Sequence, residues 1–228
     1  MNETDTIDQS ILSSLHCNLS PVAKATGSAT LTFNEAISTC LIHGPTELRQ
    51  QQDSINRLQA DVTFQARPGN PMQKDKLIEQ WLETLVESTL LTDFYPRSQL
   101  NIVLYEEQNL AREATILACL CNTLCLAMLD ANLPMKYTFA AIPLVQHPSK
   151  GLLILPNSKD ELASNTFFVL VFEITSNEVL AIHSGGEFSI DLLDEAIVKG
   201  KIAARQIFQF YRQELEKRLV NIGHNRST

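Results

Sequence analysis

The chain has little positive charge. Its 228 residues include 18 Lys and Arg against 26 Asp and Glu, which gives a formal net charge of −8 at pH 7. Nucleic-acid backbones are polyanions, and affinity for them grows with the number of phosphates that cations neutralise. A chain with this balance is therefore not expected to bind RNA or DNA strongly by itself. Any nucleic-acid role requires a surface shared with partners.

The sequence also lacks the features of secreted and membrane-spanning proteins. Residues 1–14 are polar and acidic, with neither a basic start nor an apolar segment, so no secretory signal is predicted. No apolar run reaches the roughly 18 residues that a membrane span needs, so no membrane partner is expected. Three of the five cysteines, Cys119, Cys121 and Cys125, lie in one apolar segment. An odd total of five cysteines, three of them in one apolar segment, is typical of a reducing compartment and not of a disulfide framework.

Motifs for nucleotide chemistry and for metal binding are missing as well. The chain has 8 glycines, but they form neither a P-loop nor the Rossmann fingerprint. The histidines do not have the spacing of a metal pair or of a serine-type triad, and the clustered cysteines lack a fourth converging ligand. We predict no metal and no cofactor. The clustered cysteines are instead expected in the core, as small apolar side chains.

What the sequence does contain is a helix that is apolar on every side. It is predicted over 114–131, and such a helix belongs in the middle of a globular fold. The N-terminus of a helix is a natural anion site, because its first N–H groups have no partner within the helix. Here that end carries Glu113 and then Thr115, Ile116 and Leu117, without a cation.

Strands and two further helices accompany this apolar helix. The apolar run Phe167–Phe172 predicts a central strand, buried on both faces. An amphipathic helix is predicted over 74–91, with Leu77 on its buried stripe. A long helix is predicted from an N-cap at Ser189 to about residue 220, with Ile190 and Ile202 on its buried side. Further strands are predicted over 27–33, 36–43, 58–66, 99–106, 137–144, 152–155 and 178–183. This order indicates one α+β domain and not a doubly wound sheet.

Two groups of charged residues are candidates for chemistry. Asp160 and Glu161 are predicted in a loop before the central strand. Paired carboxylates at such a place either hold a metal or act as general acid and base, or they are simply solvated. Cations at the ends of elements either line a shared groove or are scattered surface charge. They are Arg49, Arg57, Arg67, Lys74, Lys76, Arg97 and Lys136.

Several short landmarks follow one another in a fixed order along the chain. They are Gly27-Ser-Ala29, His43-Gly-Pro-Thr-Glu47, Tyr95-Pro-Arg-Ser98, Cys121-Asn122, Ala127-Met-Leu-Asp-Ala131 and Pro134-Met-Lys136. Each is short, but as an ordered set they are specific. With them the chain resembles, over roughly residues 15–218, the RNase PH superfamily, the phosphorolytic 3′ exoribonucleases and their inactive relatives.

The resemblance implies a fold and an assembly. The expected fold is a single RNase PH-like α+β domain over 13–220, with mixed β-sheets, a buried central helix and a long C-terminal helix. Flexible tails are expected at 1–12 and 221–228. Family domains pair with related subunits, and three pairs close a ring around a channel for single-stranded RNA, with cap subunits on the RNA exosome core. The resemblance therefore implies exosome ring and cap subunits as partners, and a location in nucleus, nucleolus and cytoplasm.

The positions that match the catalytic motifs of the family have lost their chemistry. Active members carry Gly-Thr-Arg at the entry of the buried helix to bind the attacking phosphate, and Thr115, Ile116 and Leu117 stand there in this chain. Leucine cannot neutralise an oxyanion as arginine does. The second of two metal-holding aspartates corresponds to Asn165, whose amide is uncharged. The resemblance thus implies a non-catalytic structural subunit.

Two alternatives stay open. One is an active phosphorolytic exoribonuclease in which Asp160, Glu161 and Arg112 act as substitutes. The other is a stand-alone protein-interaction module that has reused the fold. Under the structural interpretation, the candidates for contact with RNA in the channel are Arg49, Arg67 and Arg97.

Overall fold

Two β-sheets enclose one helix in this protein. The computed structural model describes residues 14–47, 58–66, 73–109 and 113–225. The first sheet has the order β1-β2-β3-β5-β4, formed by Leu15–Leu19, Gly27–Phe33, Ala36–Glu47, Ser98–Asn109 and Gln59–Gln65 respectively. The second has the order β7-β6-β8-β9, formed by Gly151–Ile154, Phe139–His147, Thr166–Glu173 and Val179–Gly185.

Four α-helices complete the described part of the chain, together with a short 3₁₀ helix at Thr92–Phe94. The α-helices are α1 at Gln73–Thr89, α2 at Glu113–Asp130, α3 at Ser158–Ala163 and α4 at Ile190–Asn225. All strand pairs are antiparallel except β4 with β5, which is parallel. The predicted α+β fold with mixed sheets, a buried helix and a long C-terminal helix is confirmed.

Helix α2 lies between the sheets and packs against β2 and β3 on one side and β6 and β8 on the other. The expectation that no apolar run is long enough for a membrane span was wrong, because one helix has the length and the apolar composition that a span needs. An 18-residue window over Glu113–Asp130 is apolar enough to cross a bilayer, yet 89% of it is buried inside the fold. Because protein surrounds it on every side, it is a core helix, as its sequence predicts.

Asn122 joins α2 to strand β6 and to helix α4 within the core. Its amide nitrogen donates to the Ala141 carbonyl at 2.9 Å, and its oxygen accepts from the Ala141 N–H at 2.7 Å. The hydroxyl of Tyr211 on α4 donates to the same oxygen at 2.9 Å. Strand β7 reaches only Leu144–His147 of β6. At Ala141 the side-chain amide therefore supplies the two hydrogen bonds that a strand neighbour provides elsewhere.

A second polar cluster joins the far end of α2 to β1, β2 and α4. The buried Asp130 carboxylate accepts from the Ser20 hydroxyl at 2.8 Å and from the Ser28 N–H at 2.9 Å, and it pairs with Arg218. The approach of β2 is close enough to require glycine. A Cβ on Gly27 would come within 2.5 Å of the Ala131 Cβ. This contact gives a physical reason for the first landmark of the sequence.

Several predicted strand boundaries were wrong. The ends of a strand depend on the neighbouring strand with which it pairs, and the local sequence does not contain that neighbour. Strand β1 was not predicted, although its five residues pair with β2. Strand β3 continues to Glu47, beyond the predicted range 36–43, with an irregularity in its pairing between His43 and Thr46. Strand β9 extends beyond the predicted range 178–183, because Ser184 and Gly185 also pair with β8.

Other corrections concern helices. Leu77 is 66% exposed and not on the buried stripe of α1, and on α4 Ile190 and Ile202 are 78% and 42% exposed. Ser189 does cap α4, since its hydroxyl accepts from the Leu192 N–H at 3.3 Å. Gly200 lets α4 pack closely on the second sheet, because a Cβ there would lie 2.8 Å from the Phe172 ring.

We expect Tyr211→Phe to lower the free energy of unfolding by about 1 kcal/mol, the usual contribution of one buried hydrogen bond. Asn122→Ala should cost more, about 2–3 kcal/mol, because it leaves both Ala141 backbone groups without partners in the core. Urea denaturation followed by circular dichroism measures both changes. Tyr137→Phe is the matched control, since Tyr137 is 39% exposed. An unchanged midpoint for Asn122→Ala would contradict this account of the core.

Candidate functional site

A carboxylate of this chain occupies the N-terminal end of α2. The Glu161 Oε1 atom accepts a hydrogen bond from the Thr115 N–H at 3.0 Å and another from the Thr115 hydroxyl at 2.5 Å. Both residues are buried. The first N–H groups of a helix carry a partial positive charge and favour an anion. At Thr115 that anion is supplied from within the fold.

Helix α3 carries Glu161 into this position, in a segment that was expected to be a loop. The N–H groups of Asp160 and Glu161 donate to the Asn157 carbonyl at 2.9 and 3.0 Å, which closes the first turn. The Ser158 N–H donates to Glu35 Oε2 at 3.0 Å and so fastens α3 to the β2–β3 turn. The connection from β7 and the β2–β3 turn together fix where α3 begins.

The neighbouring carboxylate has a different partner. Asp160 is 2.8 Å from the Lys150 ammonium and 3.9 Å from His147 Nε2. The Lys150 hydrogen bond holds the pKa of Asp160 below its ordinary value. Asp160 and Glu161 are adjacent in sequence, but their carboxylates bind different groups, so they do not form the paired site that the sequence left open. Asp160 is an ion-paired surface residue and Glu161 is a buried helix cap.

The remaining positions matched to the phosphate and metal motifs offer no charge. The Leu117 side chain is part of the hydrophobic core, and Ile116 is half-buried and packs against that core. Asn165 is exposed and lies directly before β8. At these three positions the described structure presents two aliphatic side chains and one neutral amide, none of which neutralises an oxyanion or a cation.

An aromatic cluster near the start of α2 was missed in the sequence. The His183 ring on β9 lies 5.7 Å from the Trp81 ring of α1 and 6.0 Å from the Phe167 ring of β8, centroid to centroid. Burial lowers the pKa of His183, while the nearby charge of Glu113 raises it. The sequence contained little indication of this cluster, because its three rings come from separate elements and their positions in the sequence follow no regular spacing.

Of the three arginines predicted to contact RNA, Arg97 lies in the described part of the chain. Arg97 is exposed, in a left-handed backbone conformation with φ of 59°, at the turn before β5. Arg49, Arg67 and Arg112 lie outside the residues that the structure describes. A shared groove of cations therefore stays a prediction.

The cysteines pack as apolar side chains, as predicted. Cys119, Cys121 and Cys125 are fully buried and free. Cys119 Sγ lies 3.1 Å from the Ser38 hydroxyl, and burial raises the pKa of this thiol to about 11. In the described part of the chain, no group of three or more His, Cys, Asp or Glu side chains is arranged to hold a metal ion.

Comparison with known proteins identifies the family. Residues 12–134 match the RNase PH family, described as "3' exoribonuclease family, domain 1". The chain belongs to this family. Relatives include a Caenorhabditis elegans protein named "Exosome complex component RRP46 homolog". It is 22% identical over 211 residues, which cover 91% of this chain and 96% of the relative.

Two further relatives support the same fold over nearly the whole chain. The Arabidopsis thaliana "Exosome complex exonuclease RRP46 homolog" is 21% identical over 220 residues, covering 89% of this chain and 91% of the relative. The crystal structure of rice (Oryza sativa) Rrp46 superimposes with a TM-score of 0.81 at 22% identity, covering 89% of this chain and 94% of that one. The RNase PH fold expected from the landmarks is thereby confirmed.

We expect Glu161→Gln to lower the free energy of unfolding by about 1–2 kcal/mol, because an amide is a weaker acceptor at a positively polarised helix end. Glu161→Ala should cost more, since the buried Thr115 N–H then loses its acceptor. Urea denaturation at neutral pH measures both. Glu187→Gln, at an exposed position, is the control. Equal stability of Glu161→Ala and the wild-type chain would contradict the capping role.

Proposed function

We propose that this chain is a structural subunit of the RNase PH-type ring of an RNA exosome and that it does not catalyse phosphorolysis. In this role it pairs with related ring subunits and contacts cap subunits, and single-stranded RNA passes through the shared channel. It supports 3′-to-5′ processing and decay of ribosomal and messenger RNA. We further propose that it works in the nucleus, the nucleolus and the cytoplasm.

Family membership and length support the assembly. Relatives named as exosome components align with this chain over nearly their full lengths, so the chain has the extent of one such subunit. The net charge of −8 suits a member of a shared surface better than an autonomous RNA-binding protein.

The Glu161–Thr115 contact is the observation that carries the non-catalytic part of the proposal. A phosphate ion and the Glu161 carboxylate are both anions, and they cannot share the Thr115 N–H. Leu117 provides no cation to draw phosphate into the site, and its side chain belongs to the core. Loss of one preorganised hydrogen-bond donor typically costs about 3 kcal/mol of transition-state stabilisation. Without phosphate at this helix end, phosphorolysis has no nucleophile.

An active enzyme is the second candidate, favoured by one observation. The Arabidopsis and rice relatives carry the word "exonuclease" in their names. In this chain such an activity would require Arg112 to bind phosphate in place of the missing cation, and Asp160 to hold a metal. Asp160 is instead engaged by Lys150 at 2.8 Å, which weakens this candidate.

The assembly is tested by the subunit content of the native complex. We expect a tagged chain to co-purify with other RNase PH-like subunits and with cap subunits, in equal numbers, when the intact complex is weighed by mass spectrometry. The reason is that relatives named as exosome components match this chain over nearly their full lengths. Recovery of the chain without any RNase PH-like partner would overturn ring membership.

The absence of catalysis is tested with the pure chain. We expect no release of nucleoside diphosphates from single-stranded RNA in phosphate buffer with Mg²⁺, because Glu161 occupies the anion position. Chromatographic separation of the products measures this. The control is Arg112→Ala. Turnover that survives stringent purification and disappears in Arg112→Ala would establish the active enzyme instead.

A further inference from the structure

Strand β9 forms an edge of the second sheet and is held there by few buried side chains. It is the last strand in the order β7-β6-β8-β9, so within the described residues only β8 pairs with it. Every residue of β9 is half-buried or exposed. Such a segment opens more easily than the buried strands beside it. Contacts from outside the sheet therefore contribute to how firmly β9 is held.

Aromatic rings join β9 to helix α1. The His183 ring lies 5.7 Å from the Trp81 ring of α1, at an interplanar angle of 64°, and 6.0 Å from the Phe167 ring of β8. Gly185 of β9 lets the Phe167 ring lie close against the strand, because a Cβ at that position would clash with the ring. We call Trp81, Phe167 and His183 the ring contact.

Helix α1 is also fixed at points away from the ring contact. The Glu79 carboxylate accepts a hydrogen bond from the Phe64 N–H of β4 at 2.8 Å. At the end of the helix, the Lys136 N–H donates to the Thr89 carbonyl at 2.7 Å. Weakening of the ring contact is therefore expected to leave α1 in place and to release β9.

The charge of His183 determines the strength of the ring contact. The neutral imidazole packs on the two neighbouring rings as an aromatic side chain. Protonation adds a full charge and a second N–H donor. Partial burial against two rings removes part of the water that would solvate this charge, so the protonated form is less favourable in the contact than in free solution.

The surroundings of His183 provide little opposite charge in the described residues. Burial lowers the pKa of His183, and Glu113 at the start of α2 raises it by less. The residues one turn to either side of Trp81 on α1 are uncharged, as are those beside or opposite His183 on the same face of the sheet. These uncharged neighbours are Leu77, Ile78, Thr84, Leu85, Val169, Ala181 and Gly185.

We propose that the ring contact is a pH-sensitive clasp on β9, which neutral His183 closes and protonated His183 opens. The clasp is independent of the proposed function, since Glu161 and Thr115 take no part in it. A histidine whose pKa is lower in the folded chain than in the unfolded one stabilises the fold when it is neutral. This stabilisation is complete above about pH 6.5 and is lost as the pH falls through the lowered pKa.

Trp81 reports on the clasp directly, because it is the only tryptophan of the chain. Between about pH 8 and 5.5, its fluorescence emission should move reversibly to longer wavelength, with an apparent pKa below 6.5. His183→Phe keeps a ring in the contact but removes the titrating group, so its emission should stay constant. His16→Gln, at an exposed position on β1, is the matched control and should titrate as the wild-type chain does.

Hydrogen exchange locates the opening within the fold. After correction for intrinsic rates, the amides of β9 should exchange about threefold or more faster at about pH 5.5 than at about pH 7.5, while those of β6 stay unchanged. The difference should disappear in His183→Phe. If circular dichroism shows that this variant does not fold, an NMR titration of the His183 ring in the wild-type chain decides the pKa instead.

Three results would overturn the proposal. The first is constant Trp81 emission in the wild-type chain, or the same titration in His183→Phe. The second is a pKa of His183 above 6.5, because attraction between the imidazolium and the Trp81 ring would then tighten the contact on protonation. The third is equal exchange of β9 at both pH values, which would show that the strand does not depend on the ring contact.

Discussion

Helix α2 is enclosed by protein on all sides, and this one constraint governs the rest of the structure. Its buried polar side chains are shielded from water, so each must find a partner within the chain, since an unpaired buried polar group costs about 1–3 kcal/mol. Asn122 finds Ala141 and Tyr211, and Asp130 finds Ser20, Ser28 and Arg218. These contacts fix how the two sheets and α4 sit around the helix.

The same constraint determines what happens at the entry of α2. A positively polarised helix end that is buried needs an anion, which comes either from solution or from the chain itself. Glu161 supplies it here, through a short helix held by the β2–β3 turn. An internal anion stabilises the fold permanently, whereas a bound phosphate would come and go with turnover. The RNase PH fold is thus retained with an internal carboxylate at the entry of its buried helix.

Much of the fold was predictable because the relevant signals are local. The all-round apolar character of α2, the two-sided apolar run of β8 and the cap at Ser189 each lie within one short segment. Predictions failed where a partner decides the outcome. Strand β1 exists because it pairs with β2, and the exposure of Leu77 and Ile202 depends on where each helix packs. Strand pairing and side-chain exposure both depend on the element that packs alongside, and the residue pattern within one segment does not identify that element.

For the site, the sequence by itself determined what is missing. It places leucine and asparagine at the positions that the resemblance matches to a phosphate-binding arginine and a metal-holding aspartate, and side-chain charge is a property of residue type. Only the tertiary structure decided what takes their place. Glu161 and Thr115 stand 46 positions apart and meet because α3 is fastened to the β2–β3 turn. A hydrogen bond depends on distances of a few tenths of an ångström, and those are set by the packing of the whole domain.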